Sequence, residues 1–402
     1  MNATLHSWTA RAAVLLVALS CSTAGAKEAA PPPTNGFTPG KGFRLVSDDG
    51  NWSLRVGLQA GYRLQTLITP STEGEARQPT GSFFVVRPRV DGTLFKEWIR
   101  FWTSFEFASN PPFLLDSFVE AQPVPYFGVR LGQFWSVTSW HEQLGPQELV
   151  FPDWAFVAEY FWLGRDKGIQ FFGNLPEGTF RYELSLTGGS PLRQFQTIPG
   201  NFVVQGAVRF YPLGKLEDTT EFPYMMIADR VPTRLGISVS GWAAKLQETE
   251  SNFNPTRGQF KAVPTGVRHR EQGGEADVLF QTGPVNLYAE GWLKRTDPVP
   301  TDARSAFLAT GVWAQGSFVV IPKVLDVALQ AGWLEPNFDV DSDNFIYGQA
   351  QVGFYVYKNN VNMRARYLIG HQDSPGTPAV EATLPATPGW NHVITLQWNV
   401  YF

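Results

Sequence analysis

What most constrains this chain is an alternation of period two, clearest in residues 390–402. Ile394, Leu396, Trp398, Val400 and Phe402 fall on one face, and Thr395, Gln397, Asn399 and Tyr401 on the other. That period is the period of a β-strand with one apolar and one polar side. The chain stops there on an aromatic residue. In an open soluble sheet such a strand would leave a long apolar edge exposed. A closed barrel has no free edge, because its last strand pairs with its first. In lipid the outer face must be apolar, and the aqueous interior tolerates polar groups.

The alternation recurs along the chain. Trp52, Leu54, Val56, Leu58, Ala60, Tyr62 and Leu64 alternate with Ser53, Arg55, Gly57, Gln59, Gly61, Arg63 and Gln65. That run exceeds the ~5–6 residues of an ordinary soluble strand and reaches the roughly 10 that a tilted membrane strand needs. Phe84, Val86, Val90 and Leu94 oppose Arg87, Arg89, Asp91 and Thr93, and Val361, Met363, Ala365 and Tyr367 oppose Asn362, Arg364 and Arg366. Similar runs surround Arg100, Arg130, Arg181, Arg209, Arg234, Glu290 and Asp326. Leu114–Gln122, Asp166–Gly173, Gly274–Thr282 and Phe345–Tyr357 carry the pattern more weakly, and Ser305–Val320 lacks a clear phase. The expected fold is all-β: a transmembrane antiparallel up-and-down β-barrel of about 16 strands, an even number as bacterial barrels require.

Connection lengths orient it. Tight links at 96–97, 123–125, 175–178, 283–284, 322–323 and 358–360 alternate with long ones at 66–82, 135–165, 188–200, 245–272, 296–304, 335–344 and 371–389. Short periplasmic turns alternating with long external loops place both termini in the periplasm. Residues 212–232 break the rule, being long where a tight turn is due.

Residues 1–26 read as a signal peptide, with Arg11, the short apolar core Ala12–Ser20 and the small residues Ala24-Gly25-Ala26. Residues 27–50 are a Pro- and Gly-rich periplasmic lead-in, and 51–402 are the barrel. The expected location is the bacterial outer membrane. The lone Cys21 lies in the signal segment, which excludes disulfides and thiolate metal sites from the mature chain. No cofactor is expected. Fourteen tryptophans suit aromatic girdles at the two lipid–water interfaces. A net charge of −4 argues against a nucleic-acid partner.

Residues 135–165 form the longest early loop and hold Trp135, Trp140, Phe151, Trp154, Phe156, Tyr160, Phe161 and Trp162. So many aromatics suit a packed loop, expected as the third external loop to fold inward and narrow a pore. A packed external cap is the alternative. Around it, Gly132-Gln133-Phe134, Ser139-Trp140-His141-Glu142, Gly164-Arg165-Asp166-Lys167-Gly168-Ile169-Gln170, and Tyr182 with Gly188-Gly189 follow in order, after Arg87-Pro88-Arg89. In these motifs, from Arg44 to Phe402, the chain resembles the phosphate-selective porin O/P family. The terminal Phe402 is likewise similar to bacterial outer-membrane barrels. The resemblance implies a sixteen-stranded homotrimeric channel that passes phosphate or polyphosphate by lumenal arginines and lysines. The chain departs from it in being poor in lysine.

The polar faces carry Arg55, Arg63, Arg87, Arg89, Arg100, Arg130, Arg181, Arg209, Arg234, Arg364 and Arg366. A guanidinium offers a fixed fork of donors matched to phosphate oxygens, and basic rings select anions in pores. Asp91, Glu106, Asp116, Glu120, Glu183, Asp277, Glu290 and Asp326 share those faces. Pairing would make any single arginine a brace of the wall. As a group beside the inward loop, the arginines are the expected pore-lining and selectivity residues.

The expected function is therefore an outer-membrane porin for passive diffusion of small anionic solutes, phosphate or polyphosphate first. Its partners would be outer-membrane lipid and lipopolysaccharide, small anions, and two further copies of itself. A general porin without anion preference is the alternative. A barrel phospholipase would need a Ser–His–Asn or Ser–His–Asp set on the outer wall, and none is visible, so no enzyme is expected. A plugged adhesin is disfavoured by the small lumenal Gly57, Gly61, Gly128 and Gly132. Asp339-Val-Asp341-Ser-Asp343 begins like a calcium loop, but Asn344 and Ala350 stand at its sixth and twelfth positions, so a solvated acidic loop is expected. His141-Glu142 reads as loop hydrogen bonding rather than a catalytic pair. Arg268-His269-Arg270 is an external basic patch that would meet lipopolysaccharide phosphates or simply water.

Overall fold

The computed structural model describes residues 35–38, 40–71, 74–110, 112–175, 178–189, 200–213, 233–254, 259–298, 306–372 and 389–402. The expected signal peptide and the anomalous stretch from 214 to 232 lie outside the described residues. Two short strands, β1 (Gly36–Thr38) and β2 (Gly42–Val46), come first. Sixteen longer strands then close into one antiparallel barrel. They are β3 (Ser53–Ser71), β4 (Gly74–Leu94), β5 (Lys96–Glu106), β6 (Phe113–Val124), β7 (Phe127–Trp135), β8 (Arg165–Asn174), β9 (Phe180–Thr187) and β10 (Phe202–Phe210). The second half is β11 (Arg234–Asn254), β12 (Gln259–Thr282), β13 (Val285–Pro298), β14 (Phe307–Ile321), β15 (Leu325–Glu335), β16 (Phe345–Tyr357), β17 (Val361–Gln372) and β18 (Gly389–Tyr401).

Each strand pairs with the next, and β18 returns to β3, with Trp398 opposite Tyr62 and Val400 opposite Ala60. Phe402 completes the seam: its N–H donates to the Leu58 carbonyl at 3.0 Å, and the Leu58 N–H donates to its carbonyl at 2.6 Å. A Cβ on Gly57 would lie 2.9 Å from that same carbonyl, so only glycine lets the last residue lie flat there. Closure satisfies the backbone without water, as lipid demands.

The two faces separate as the alternation requires. On β18, Ile394, Leu396 and Val400 are exposed outside, while Asn391, Thr395, Gln397 and Asn399 are buried inside. On β3, Leu54, Val56 and Leu64 point out, and Gln59 and Arg63 point in. At the rim with the short turns, Trp52 meets Phe95 edge-on at 4.4 Å and Phe180 stacks on Phe210 at 4.7 Å. Tyr126 and Phe127 extend this girdle at the lipid boundary. Three of the tight turns use left-handed non-glycine residues, Phe95, Lys323 and Lys358.

The structure departs from the sequence expectations in two places. Residues 66–71 and 74–82, and 245–254 and 259–272, belong to paired strands, not loops: Ile68 stands opposite Arg77, and Phe253 opposite Phe260. Beyond the lipid both faces of a hairpin are wet, so pairing continues after the apolar–polar signal has ended. The described part of the lead-in is also ordered, with Phe43–Val46 paired to Ser53–Val56 and β1 paired to β2. The strand-like stretch without a clear phase does supply β14, and its phase was obscured because inward Ala309, Gly311 and Trp313 pack under the inserted loop instead of facing water.

Candidate functional site: an inward loop facing an arginine wall

Between Trp135 and Arg165 the chain turns into the barrel. Leu144, Leu149, Val150, Phe151 and a short helix, α1 (Phe156–Phe161), are buried against inward-facing Trp242, Trp292, Trp313, Phe345 and Tyr347. Phe156 meets Tyr347 edge-on at 5.0 Å, and Phe161 stacks on Trp292 at 5.5 Å. Burying each such side chain contributes ~1.5–3 kcal/mol, which gives the loop its reason to leave water. His141 Nε2 accepts the Ala155 N–H at 3.0 Å, and Glu142 accepts the Gly164 N–H at 2.9 Å. These bonds tie the loop to itself, the role expected of His141-Glu142. Burial pushes the His141 imidazole down to about 3, so it is neutral, and the Glu142 carboxyl up to about 8.

Four of the eleven sequence-predicted arginines fasten this loop. Arg63 and Arg366, from β3 and β17, both grip Asp153, at 2.6 and 2.7 Å. Arg364 donates to the carbonyls of Pro146, Gln147 and Phe151 at 3.1–3.2 Å. Arg209 reaches the Val137 carbonyl at 3.3 Å and pairs with Glu183. All four are at most 2% exposed. They hold protein rather than face a water path, which corrects the expectation that all eleven line the pore.

The others stand differently. Arg55, Arg87, Arg89, Arg100, Arg130 and Arg181 lie on the β3–β9 arc and keep part of their surface open, Arg55 with 32% and Arg100 with 60% of the side chain exposed. Arg165, which the sequence reading did not single out, joins them. Arg234 is half-buried on β11, apart from the arc. Aromatic rings fix the planes: Arg89 lies over Trp102 and Tyr401, Arg130 over Phe118, and Arg165 over Trp135 at 4.0 Å. Such stacking orients a guanidinium without neutralising it.

The carboxylates are shared rather than matched. Asp91 serves both Arg55 (2.6 Å) and Arg89 (3.1 Å). Glu120 serves Arg130 (2.7 Å) and Arg100 (4.0 Å), and Glu183 serves Arg181 (3.0 Å) and Arg209. Glu106 and Asp116 hold one arginine each, Arg87 and Arg165. On the open arc these ion pairs set seven guanidiniums against five carboxylates, of which Glu183 also serves the sealed Arg209, while Glu148 of the loop adds a further carboxyl facing Arg89. Half a circumference away, β12, β13 and β15 turn Glu275, Asp277, Glu290 and Asp326 inward. Most described inward side chains on β11–β18 are buried, with Arg234, Glu271 and Lys294 half-buried, and the arginines of the β3–β9 arc keep part of their surface open. Among the inward arginines, those on β3–β9 other than Arg63 are thus the more open ones.

Solved structures share this backbone. The anion-selective porin from Comamonas acidovorans aligns with a TM-score of 0.59 at 11% identity, over 87% of this chain and 100% of that one. The trimer form of in-vitro folded OmpT, an outer membrane protein of Vibrio cholerae, aligns with a TM-score of 0.59 at 10% identity, over 87% and 99%. The fold is that of an outer-membrane porin. The outer membrane channel DcaP of Acinetobacter baumannii matches too, with a TM-score of 0.55 at 10% identity over 90% and 100%. No protein-family model and no curated protein matches the chain. The neighbours are thus porins and channels in general, and the likeness is one of fold.

Proposed function

We propose that this chain is an outer-membrane porin through which small anions diffuse passively, phosphate among them. The observation that carries the reading is the sharing of Asp91 and Glu120 between pairs of arginines on the open side of the lumen. In this reading residues 135–165 are the constriction and residues 1–26 the export signal. The anion selectivity stated for the Comamonas porin supports it. The trimeric form of a neighbour supports a homotrimer in lipid and lipopolysaccharide. No catalysis is proposed.

The test is the zero-current potential of the purified protein in a planar bilayer. Each unbalanced charge contributes about 0.7 kcal/mol at ~6 Å in water, roughly threefold in an ion's occupancy. A salt gradient should therefore give chloride over potassium by about threefold or more, and phosphate in place of chloride should carry current and compete with it. A cation preference would reject the anion reading. An uncharged preference would favour the general porin, which the carboxylate on every arginine cluster would then explain.

A pH dependence follows. Glu148 lies in the inward loop, accepts the Gly145 N–H at 2.7 Å and faces Arg89. Loss of water pushes its carboxyl up to about 7 despite that cation. Below pH 7 it is neutral, and above it cancels positive charge at the filter. Anion preference should therefore weaken between pH 6 and pH 8. Glu148→Gln should flatten the response. A wild-type preference constant over that window would refute the assignment.

A further inference from the structure

We propose that Glu275, Asp277, Glu290 and Ser238 form a site for one hard divalent cation, calcium or magnesium, at the root of the inward loop. Glu275 and Asp277 share the inward face of β12, and Glu290 is the register partner of Asp277 on β13. Their carboxylate oxygens lie within 4.8 Å of one another, and all three side chains are buried. Three anions this close repel strongly away from water and need a counter-charge. Arg209 is the near guanidinium, and it is already committed to Glu183. None of the three carboxylates forms an ion pair among the described residues.

Their hydrogen bonding is incomplete. Glu290 accepts from Ser139, Trp313 and Tyr288, and Glu275 accepts from Ser240 through one oxygen. The other Glu275 oxygen and both Asp277 oxygens have no hydrogen-bond partner. A separate group points at the same place. Ser238, on β11, stands opposite Asp277 in register, is 1% exposed, and has a hydroxyl with no hydrogen-bond partner. Four oxygen-bearing side chains from three adjacent strands thus converge, without an imidazole or thiolate. Carboxylate and hydroxyl oxygens suit calcium, magnesium or manganese rather than zinc or copper.

The site has a structural consequence. Ser139, at the start of the loop, donates to Glu290, so a bound ion would hold that carboxylate where the loop needs it. It would also cancel negative charge on the wall facing the arginines. The site rests on the barrel geometry and stands whether or not the channel prefers anions.

The experiment uses the full folded protein in detergent, stripped with chelator and then titrated with terbium under tryptophan excitation. Trp313 touches Glu290, so a bound terbium ion should emit. We expect one terbium per chain, displaced by calcium, and one calcium per chain by elemental analysis after dialysis. Asp277→Asn should weaken binding by roughly tenfold or more, since ligand charge sets affinity. If that variant fails to fold, Ser238→Ala keeps the charge and should still weaken binding severalfold. Asp339→Asn with Asp341→Asn, in the exposed acidic loop, should leave the signal unchanged. Absence of a stoichiometric ion would overturn the site, as would full emission from both site variants or loss of emission in the acidic-loop variant. In that case the three carboxyls share protons instead.

Discussion

Replacing Asp153 with alanine should release the inward loop more completely than any other single change in the lumen. Arg63 and Arg366 reach Asp153 from β3 and β17, which are neighbours of the closing strand β18, so one carboxylate staples the loop across the barrel seam. Both guanidiniums are essentially buried. Removing the shared partner of a buried pair costs ~3–5 kcal/mol, because the charges left behind are uncompensated. Glu159 sets the lower end of that range. It is buried nearby in α1, and its carboxyl is held well above the ordinary value by burial first and by Asp153 second. With Asp153 gone it can ionise and partly replace the lost anion. The barrel wall keeps its hydrogen-bonded ladder, so the change should appear as a larger, noisier single-channel conductance and a lower melting temperature. Adding Glu159→Gln should make both worse. A variant with wild-type conductance and melting behaviour would show that the aromatic packing alone holds the loop.

Much of the wall was legible because a lipid-facing strand must alternate. β16 spans Phe345–Tyr357, the stretch marked from its pattern, and the polar partners of Ile394 and Leu396 are indeed inside. The alternation says which face an arginine occupies but not what it meets. Arg87 and Arg364 carry the same signature, yet one stands at the open lumen and the other grips three loop carbonyls. That difference depends on where the loop lies, and the loop has no period to read. Asp153 was invisible for the same reason: it sits among aromatics, and its partners are remote in sequence. Sharing was hidden too. Asp91 can bridge Arg55 and Arg89 only because β3 and β4 pair with Arg55 opposite Asp91, a register that the residues alone do not fix. Arg165 lay inside a quoted motif, but its ion pair with Asp116 appears only once β6, β7 and β8 are side by side.

Reversing charge at Arg87 and Arg89 together should turn the channel from anion- to cation-preferring. Arg89 is held between Trp102 and Tyr401 beside Asp91, and Arg87 lies 2.9 Å from Glu106. Each Arg→Glu change shifts local charge by two units and leaves Asp91 and Glu106 beside a like charge. An ion passing at ~8 Å in water feels about 0.5 kcal/mol per unit, so four units amount to about 2 kcal/mol. Salt near 0.1 M, with a screening length of ~10 Å, lowers this to about 1 kcal/mol, roughly fivefold in relative permeability. That exceeds the threefold preference expected of the native channel, so the zero-current potential should change sign. Arg87→Gln with Arg89→Gln should move it about half as far. Arg364→Gln, which touches the loop and not the lumen, should raise current noise while leaving the sign alone. If the doubly reversed channel keeps the native potential, these two arginines brace the wall, and discrimination must be sought at Arg55, Arg100, Arg130 and Arg181.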